Sequence, residues 1–365
     1  MKTILIAHNF SEISFAAMSF HLAHHLADLG NRVVFISHKP YFKTNQKIEK
    51  GAGEIIVCSW PTEKRPTSLK DFVWFSKIYL KYKPDVVIGH FVGSNISILV
   101  SKVLSLGKVK TFCYYHTLSD QLLTDQNNTS IKQSLLFFRK KNFYELFCDV
   151  IVCPSALAKK DLEIFFKISK GIVLLNPMED RFENKKRMSS EKIVVSYLGR
   201  LDCSKGVLDL IKAFEIYRNG SNDSKMILNI SGRGSQESEI KELIKNNTSI
   251  HYFGLLAYDQ IDDYLNESHF IIIPSKFDNL PTVGLESMMN NTPLLISNKT
   301  GLTNYLKDGY ECFKFDPNVD SIVLLLKKVE KNMDMQEQMS LNARNTFLSI
   351  FSIKNYCNDF SKIVL

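Results

Sequence analysis

Short apolar runs alternate along this chain with stretches whose apolar positions recur every three or four residues. The first run is Ile4–Ala7. After it come Phe15, Met18, Leu22, Leu26 and Leu29, stepping by three, four, four and three along one helical stripe. Gly30 follows as a stop signal. Further apolar runs are Val33–Ile36, Asp85–Ile88, Thr111–Tyr115 and Asp149–Val152. Runs apolar throughout suit parallel strands covered by helices on both faces.

The pattern breaks at Arg181–Ser190, which is charged and nearly devoid of apolar side chains. It then restarts with a strand at Lys192–Leu198, a helix at Val207–Tyr217 and a strand at Lys225–Ile230. Strands at His269–Ile273 and Pro293–Ser297 come later, and Met339–Leu365 reads as helical. This predicts an α/β chain of two doubly wound, Rossmann-like domains. The first spans residues 1–180, a linker 181–191, and the second 192–345. Residues 346–365 form a last helix. In open parallel sheets ligands bind beyond the carboxyl ends of the strands, so a central cleft is the expected site.

Composition narrows the function. The 365 residues are 45% hydrophobic and 23% charged, enough for two separate cores. A net charge of +8 suits an anionic ligand or an anionic membrane surface. Nucleic acid is not indicated, because no compact basic stripe carries interleaved aromatics. The seven cysteines form no Cys-x-x-Cys, and Cys148 with Cys153 is the closest pair, which suggests a reducing, cytoplasmic setting. Met1–Asn9 turns polar too soon for a signal peptide. No apolar run approaches the ~18–20 residues that span a bilayer. His21 and His25 have helical spacing, but Leu22 stands where a metalloprotease needs Glu, so no metal site is expected.

Two segments carry the chemistry. In Ser196-Tyr197-Leu198-Gly199-Arg200-Leu201-Asp202-Cys203-Ser204-Lys205-Gly206 a strand ends in a glycine turn, and two cations follow. Arg200 offers a fork and Lys205 a point charge for a diphosphate; taken alone, they read equally well as solvated surface cations. In Ile273-Pro274-Ser275-Lys276-Phe277-Asp278-Asn279-Leu280-Pro281-Thr282-Val283-Gly284-Leu285-Glu286 a buried strand runs into a loop and then a helix. Asp278 and Glu286 can accept hydrogen bonds from vicinal sugar hydroxyls. The helix start near Thr282, Val283 and Gly284 offers N–H groups to a phosphate. Weaker signals are the Gly232-Arg233-Gly234 turn, His116 and His90 at strand ends, and Leu135–Phe147. The last mixes aromatics with Arg139, Lys140 and Lys141. It reads as a packed helix or as a basic amphipathic helix on anionic lipid.

Gly199-Arg200-Leu201…Lys205-Gly206 and Pro274-Ser275…Asp278…Glu286-Ser287-Met288 resemble the motifs of the retaining glycosyltransferases of family four, or group 1, with the GT-B fold. The resemblance implies that Arg200 and Lys205, beside Gly199, hold the donor diphosphate and that Glu286 binds the ribose. It implies that Asp278 and His116 lie near the transferred sugar. Gly232, Arg233, Phe253 and Gly254 would line the nucleotide, with Leu280, Thr282 and Val283 by the donor. The implied reaction moves a hexose-type sugar from a UDP- or GDP-sugar to an acceptor hydroxyl with retention. A glycan, lipid-linked or protein acceptor, surface polysaccharide assembly and peripheral membrane contact fit the family's habit. Asp-x-Asp does not occur, so this reading requires no metal. The sequence departs from the family in three places. Asp278 replaces a Glu, Asn290-Asn291-Thr292-Pro293 replaces Cys-Gly-x-Pro, and Asn9–Ser14 lacks a Gly-Gly pair. An epimerase on the same fold and a catalytically silent partner subunit are the competing readings.

Overall fold

The computed structural model describes residues 1–8, 13–38, 46–90, 95–125, 130–183, 191–221 and 223–365. The elements begin β1 (Thr3–His8), α1 (Ile13–Asp28), β2 (Arg32–Ser37), β3 (Gln46–Lys50), β4 (Gly53–Ser59), α2 (Leu69–Tyr82) and β5 (Val86–His90). Next come α3 (Asn95–Leu104), β6 (Lys110–Tyr114), α4 (Ser119–Asp125), α5 (Ser130–Phe147), β7 (Val150–Cys153), α6 (Ala156–Phe165) and β8 (Gly171–Val173). Then follow β9 (Ile193–Leu198), α7 (Val207–Asn219), β10 (Met226–Ser231), α8 (Glu237–Ile244), β11 (Ile250–Tyr252), α9 (Ile261–Asn266) and β12 (Phe270–Ile273). The chain ends with α10 (Thr282–Met289), β13 (Leu294–Ser297), β14 (Cys312–Phe315), α11 (Val319–Lys331), α12 (Gln336–Ile350) and α13 (Ile353–Val364).

Two compact units result. The first holds residues 1–116, 128–179 and 353–365; the second holds 117–127 and 180–352. The first unit's sheet runs β3-β4-β2-β1-β5-β6-β7-β8, parallel except where β3 pairs antiparallel with β4. The second unit's sheet, β11-β10-β9-β12-β13-β14, is parallel throughout. Both have the α/β, doubly wound form predicted from the apolar runs.

Burial explains the pattern. All of Ile4–Ala7 and Val33–Ile36 is fully buried, because helices cover both faces of the sheet. Met18, Leu22 and Leu26 of α1 face that core, but the helix stops at Asp28, so Leu29 is 52% exposed beyond its end. The predicted helix at 339–365 is two helices, α12 and α13, meeting at the buried Phe351. Tyr356, Cys357, Phe360 and Val364 of α13 pack on the first core at spacings of one, three and four. Burying each such large side chain is worth about 1.5–3 kcal/mol. In the second unit Leu210, Phe214 and Tyr217 of α7 pack with Leu228, Ile272 and Leu326.

In each sheet the strand order reverses beside one central strand, β1 or β9. The crevice at such a reversal is where open α/β sheets bind ligands. In the second unit that places the ends of β9 and β12 together, followed by Gly199 and Pro274.

Candidate active site

The turn after β9 is built around two glycines. Gly232, after β10, has φ +141°, and a Cβ there would meet the Gly199 carbonyl oxygen at 1.7 Å. Only glycine allows these two turns to touch. Leu201 N–H donates to the Arg233 carbonyl at 2.9 Å, and Gly232 N–H to that of Gly254 at 2.8 Å. The Tyr252 hydroxyl donates to the Gly232 carbonyl at 2.7 Å. Thus Gly199, Gly232 and Gly254 sit on three adjacent strand ends, with Arg233 exposed and Phe253 52% exposed beside them. The Tyr197 hydroxyl donates to the Arg200 carbonyl at 2.6 Å and fixes the turn from below. Gly206, with φ +72°, makes the second tight approach, to the Pro274 carbonyl oxygen, where a Cβ would stand at 2.2 Å.

The two cations project from this frame, and each meets carboxylates. Arg200, half exposed, donates to Asp202 and, at 3.2 Å, to Asp125 Oδ2. Asp125 ends α4 and also accepts from the Ser204 backbone N–H at 3.1 Å and the Ser204 hydroxyl at 2.8 Å. Lys205 Nζ donates to Asp278 Oδ2 at 2.6 Å, with both side chains largely buried. That bond joins residues 73 apart in sequence and brings the two sequence motifs together. Ser275 Oγ lies 3.4 Å from the same Asp278 oxygen. The Asp278 backbone is held against Lys299, Thr300 and Gly301.

Three residues after Asp278, Pro281 (φ −62°) caps α10 in an extended conformation, and Thr282 and Val283 open the helix half-buried. Leu280 is buried at the end of the loop. The N–H groups of a first helical turn and the helix dipole favour an anion here. Glu286, one turn in, is 7% exposed. Burial pushes its carboxyl up from the ordinary 4.5 to about 7; the Arg181 guanidinium opposes this and Asp262 adds to it. Arg181 Nη2 stands 3.9 Å from Glu286 Oε1.

The other predicted residues lie in the first unit. His8, His90 and His116 stand at the ends of β1, β5 and β6, with His90 stacked on Tyr114 (ring centroids 4.1 Å) and Tyr114 on His116 (5.1 Å). Burial, with His8 and Lys140 nearby, pulls the His116 pKa well below the ordinary 6.5, so the ring is neutral. His90 is lowered likewise, by burial first and then by His8 and His116. The Asn9–Ser14 loop lies, at residues 9–12, outside the described residues. His21 faces Glu179 at 3.4 Å.

Two contributors escape sequence reasoning. Asp125 reaches Arg200 from 75 positions away, with no motif around it. Arg181 falls in the charged stretch that reads as linker, yet it is forked onto Asp262 at 3.1 Å through both Nε and Nη2. The only available signal is a lone arginine among acids, and it does not discriminate.

Two family models match the chain. "Glycosyl transferases group 1" covers residues 178–346, and "Glycosyltransferase Family 4" covers residues 17–177. Among curated relatives, an uncharacterized glycosyltransferase of Methanocaldococcus jannaschii is 26% identical over 62% of this chain and 58% of its own length. The chain thus spans less than two thirds of that relative. An uncharacterized glycosyltransferase of Haemophilus influenzae is 24% identical over 90% of this chain and 89% of its own. Among solved structures, sucrose-phosphate synthase from Thermosynechococcus elongatus superposes with a TM-score of 0.77 at 15% identity, covering 100% of this chain and 98% of that one. HepE of Anabaena, solved with UDP-glucose, gives 0.71 at 13% identity, covering 100% and 99%. These structures share the GT-B fold with this chain.

Proposed function

The chain belongs to the glycosyl transferases of group 1 and family 4, as a glycosyltransferase of the GT-B fold, and we propose that it moves a hexose-type sugar from a UDP- or GDP-sugar to an acceptor hydroxyl with retention. The observation that carries this reading is the Lys205–Asp278 contact at 2.6 Å. It sets the cationic turn of Gly199–Gly206 beside the loop that leads into α10 and Glu286.

In the proposed reaction the bond from the anomeric carbon to the diphosphate oxygen breaks, and negative charge develops on the leaving phosphate. Arg200, Lys205 and the N-terminus of α10 at Thr282–Gly284 stabilise that charge electrostatically. Glu286 accepts from the ribose hydroxyls, and Asp278 contacts the transferred sugar. Retention follows if the leaving phosphate takes the acceptor proton on the same face. Gly232, Arg233, Phe253 and Gly254 lie beside the base in this reading, with Leu280 by the donor. His116 serves as a neutral hydrogen-bonding ring. The solution of HepE with UDP-glucose supports a nucleotide-sugar donor.

For the acceptor we propose a glycan or lipid-linked intermediate of surface polysaccharide assembly, met at a cytoplasmic membrane face. Among the described residues no helix is long and apolar enough to cross a membrane. Ile131, Leu135, Phe138 and Leu146 of α5 are exposed beside Lys132, Arg139 and Lys141, which supports peripheral contact with anionic lipid. The apolar residues of α5 also point inward, where Tyr144 is buried, so its face is mixed rather than cleanly amphipathic.

Incubation with a panel of nucleotide sugars, followed by mass spectrometry of products, tests the proposal. Transfer to a glycan or lipid-linked acceptor is expected. A donor that is only isomerised points to the epimerase reading, and a donor bound without turnover points to the silent partner subunit.

A further inference from the structure

Glu286 is a carboxylate almost sealed from water, one turn into α10. A buried carboxylate is a poor acceptor for sugar hydroxyls once it takes up a proton, because one of its oxygens becomes a donor. Something must therefore hold it as an acceptor. The strands beneath α10, β12 and β13, carry no charged residue. From α12, Arg344 is committed to Asp180 at 2.8 and 2.7 Å. From α9, Asp262 contributes a like charge. Among the described residues the cation that faces Glu286 is Arg181, at 3.9 Å.

Arg181 is fixed from several sides. Asp262 receives its Nε and Nη2, each at 3.1 Å. The guanidinium lies 5.0 Å from the centre of the Tyr258 ring, within cation–π range. The Arg181 backbone N–H donates to Met289 Sδ at 3.2 Å, on the last turn of α10. Asn290 Nδ2 holds Asp262 Oδ1 at 2.8 Å and the Glu286 carbonyl at 3.0 Å, so the acid that steers the arginine is tied to the helix that carries Glu286. A forked, stacked arginine cannot swing out to solvent as a free surface cation would.

We propose that Arg181 is a positioning residue for the nucleotide ribose: clamped by Asp262 and Tyr258, it holds the Glu286 carboxylate as a hydrogen-bond acceptor for a pair of vicinal hydroxyls. This rests on the assignment of Glu286 to the ribose. Asp262, by the same geometry, is the clamp for Arg181 and not a ligand to the nucleotide.

The test measures binding of UDP and GDP by calorimetry from pH 6 to 9.5, for wild type, Arg181→Met, Arg181→Lys and Glu286→Gln. For whichever nucleotide binds, wild-type affinity rises through pH 7 as Glu286 ionises. Arg181→Met moves that rise upward; a shift of about 1.5 pH units makes binding roughly eightfold weaker at pH 7.5 and leaves it nearly equal at pH 9.5. Arg181→Lys restores part of the loss. The corresponding 2′,3′-dideoxynucleotide, which lacks the vicinal hydroxyls, shows little response to Arg181→Met. A loss equal at every pH and equal for the dideoxy form would make Arg181 merely structural and overturn the proposal, as would wild-type binding by Arg181→Met. If Arg181→Met does not fold, the pH profile of Arg181→Lys decides, because a profile identical to wild type at reduced height also overturns it. Glu286→Gln separates the two levels. Unchanged binding by that variant removes the ribose assignment itself, whereas weakened binding beside an unaffected Arg181→Met removes only the role of Arg181.

Discussion

Glu286→Gln should make the protein more stable while it weakens nucleotide binding. Burial raises the Glu286 carboxyl from 4.5 to about 7. In the unfolded chain the same group titrates near its ordinary value. Between the two values the folded state binds more protons than the unfolded state, so stability falls as pH rises through this window. The contribution is fully present below about pH 4.5 and lost above about pH 7. The difference of about 2.5 pH units corresponds to roughly 3 kcal/mol of folding free energy withdrawn at alkaline pH. Glutamine has nearly the shape of the protonated acid and never ionises. It should therefore match wild type near pH 5 and exceed it by roughly 3 kcal/mol at pH 8.5. For a unit of this size that is a rise of roughly 6–12 °C in the unfolding midpoint. Scanning calorimetry of both proteins at pH 5 and 8.5 reads this directly. Equal midpoints at pH 8.5, or a variant advantage that is the same at both pH values, would refute the argument.

Other outcomes follow from the same geometry. Lys205→Ala leaves the buried Asp278 carboxylate without its ammonium and should cost about 3 kcal/mol in denaturant unfolding. Arg200→Ala removes a guanidinium that is 53% exposed and should cost under about 1 kcal/mol. Both should lose nucleotide diphosphate binding in a thermal-shift assay, so the two cations differ in their stability cost and not in their effect on binding. Gly232→Ala drives a Cβ into the Gly199 carbonyl from a φ of +141° and should cost roughly 3 kcal/mol or more, seen as a lowered unfolding midpoint. His116, held neutral by burial, adds no limb to the pH profile of kcat/KM between pH 5 and 9; His116→Asn should lower the profile without changing its shape.

Much of the fold is legible in the apolar runs, because strands buried on both faces leave no polar alternation to confuse them. The runs at residues 4–7 and 33–36 fall inside β1 and β2, and the strand read at 293–297 covers β13 with one residue to spare. The edge strand β3, Gln46–Lys50, is mostly exposed and polar, so nothing in its hydropathy marks it. The break between α12 and α13 is hard to see for a different reason: neither Gly nor Pro marks it, and Phe351, where α12 ends, is apolar and buried. At the site, glycine and charge spacing locate Arg200, Lys205, Asp278 and Glu286 correctly on their turns and helix. The partners of those residues are harder to see. Asp125 and Arg181 act through folded proximity over 75 and 105 positions (286 − 181 for the second), and neither has a local pattern. A charged stretch looks like solvated linker until its arginine is seen forked on Asp262.

The carboxylates beside Arg200 and Lys205 bear on how the protein takes up its ligand. Asp125 presents two oxygens to a backbone N–H, a hydroxyl and a guanidinium, the donor set a phosphate group would use. Asp278 presents one oxygen to the Lys205 ammonium and the Ser275 hydroxyl. On the proposed assignment of Arg200 and Lys205 to the donor diphosphate, uptake is an ion exchange, in which an incoming anion trades places with a resident carboxylate. Each cation is already paired with a carboxylate, Arg200 with Asp125 and Lys205 with Asp278, which offsets the repulsion between them. On that assignment the affinity is a difference between two anionic partners, and weakening Asp125 should tighten the grip on a diphosphate without adding a single contact to it.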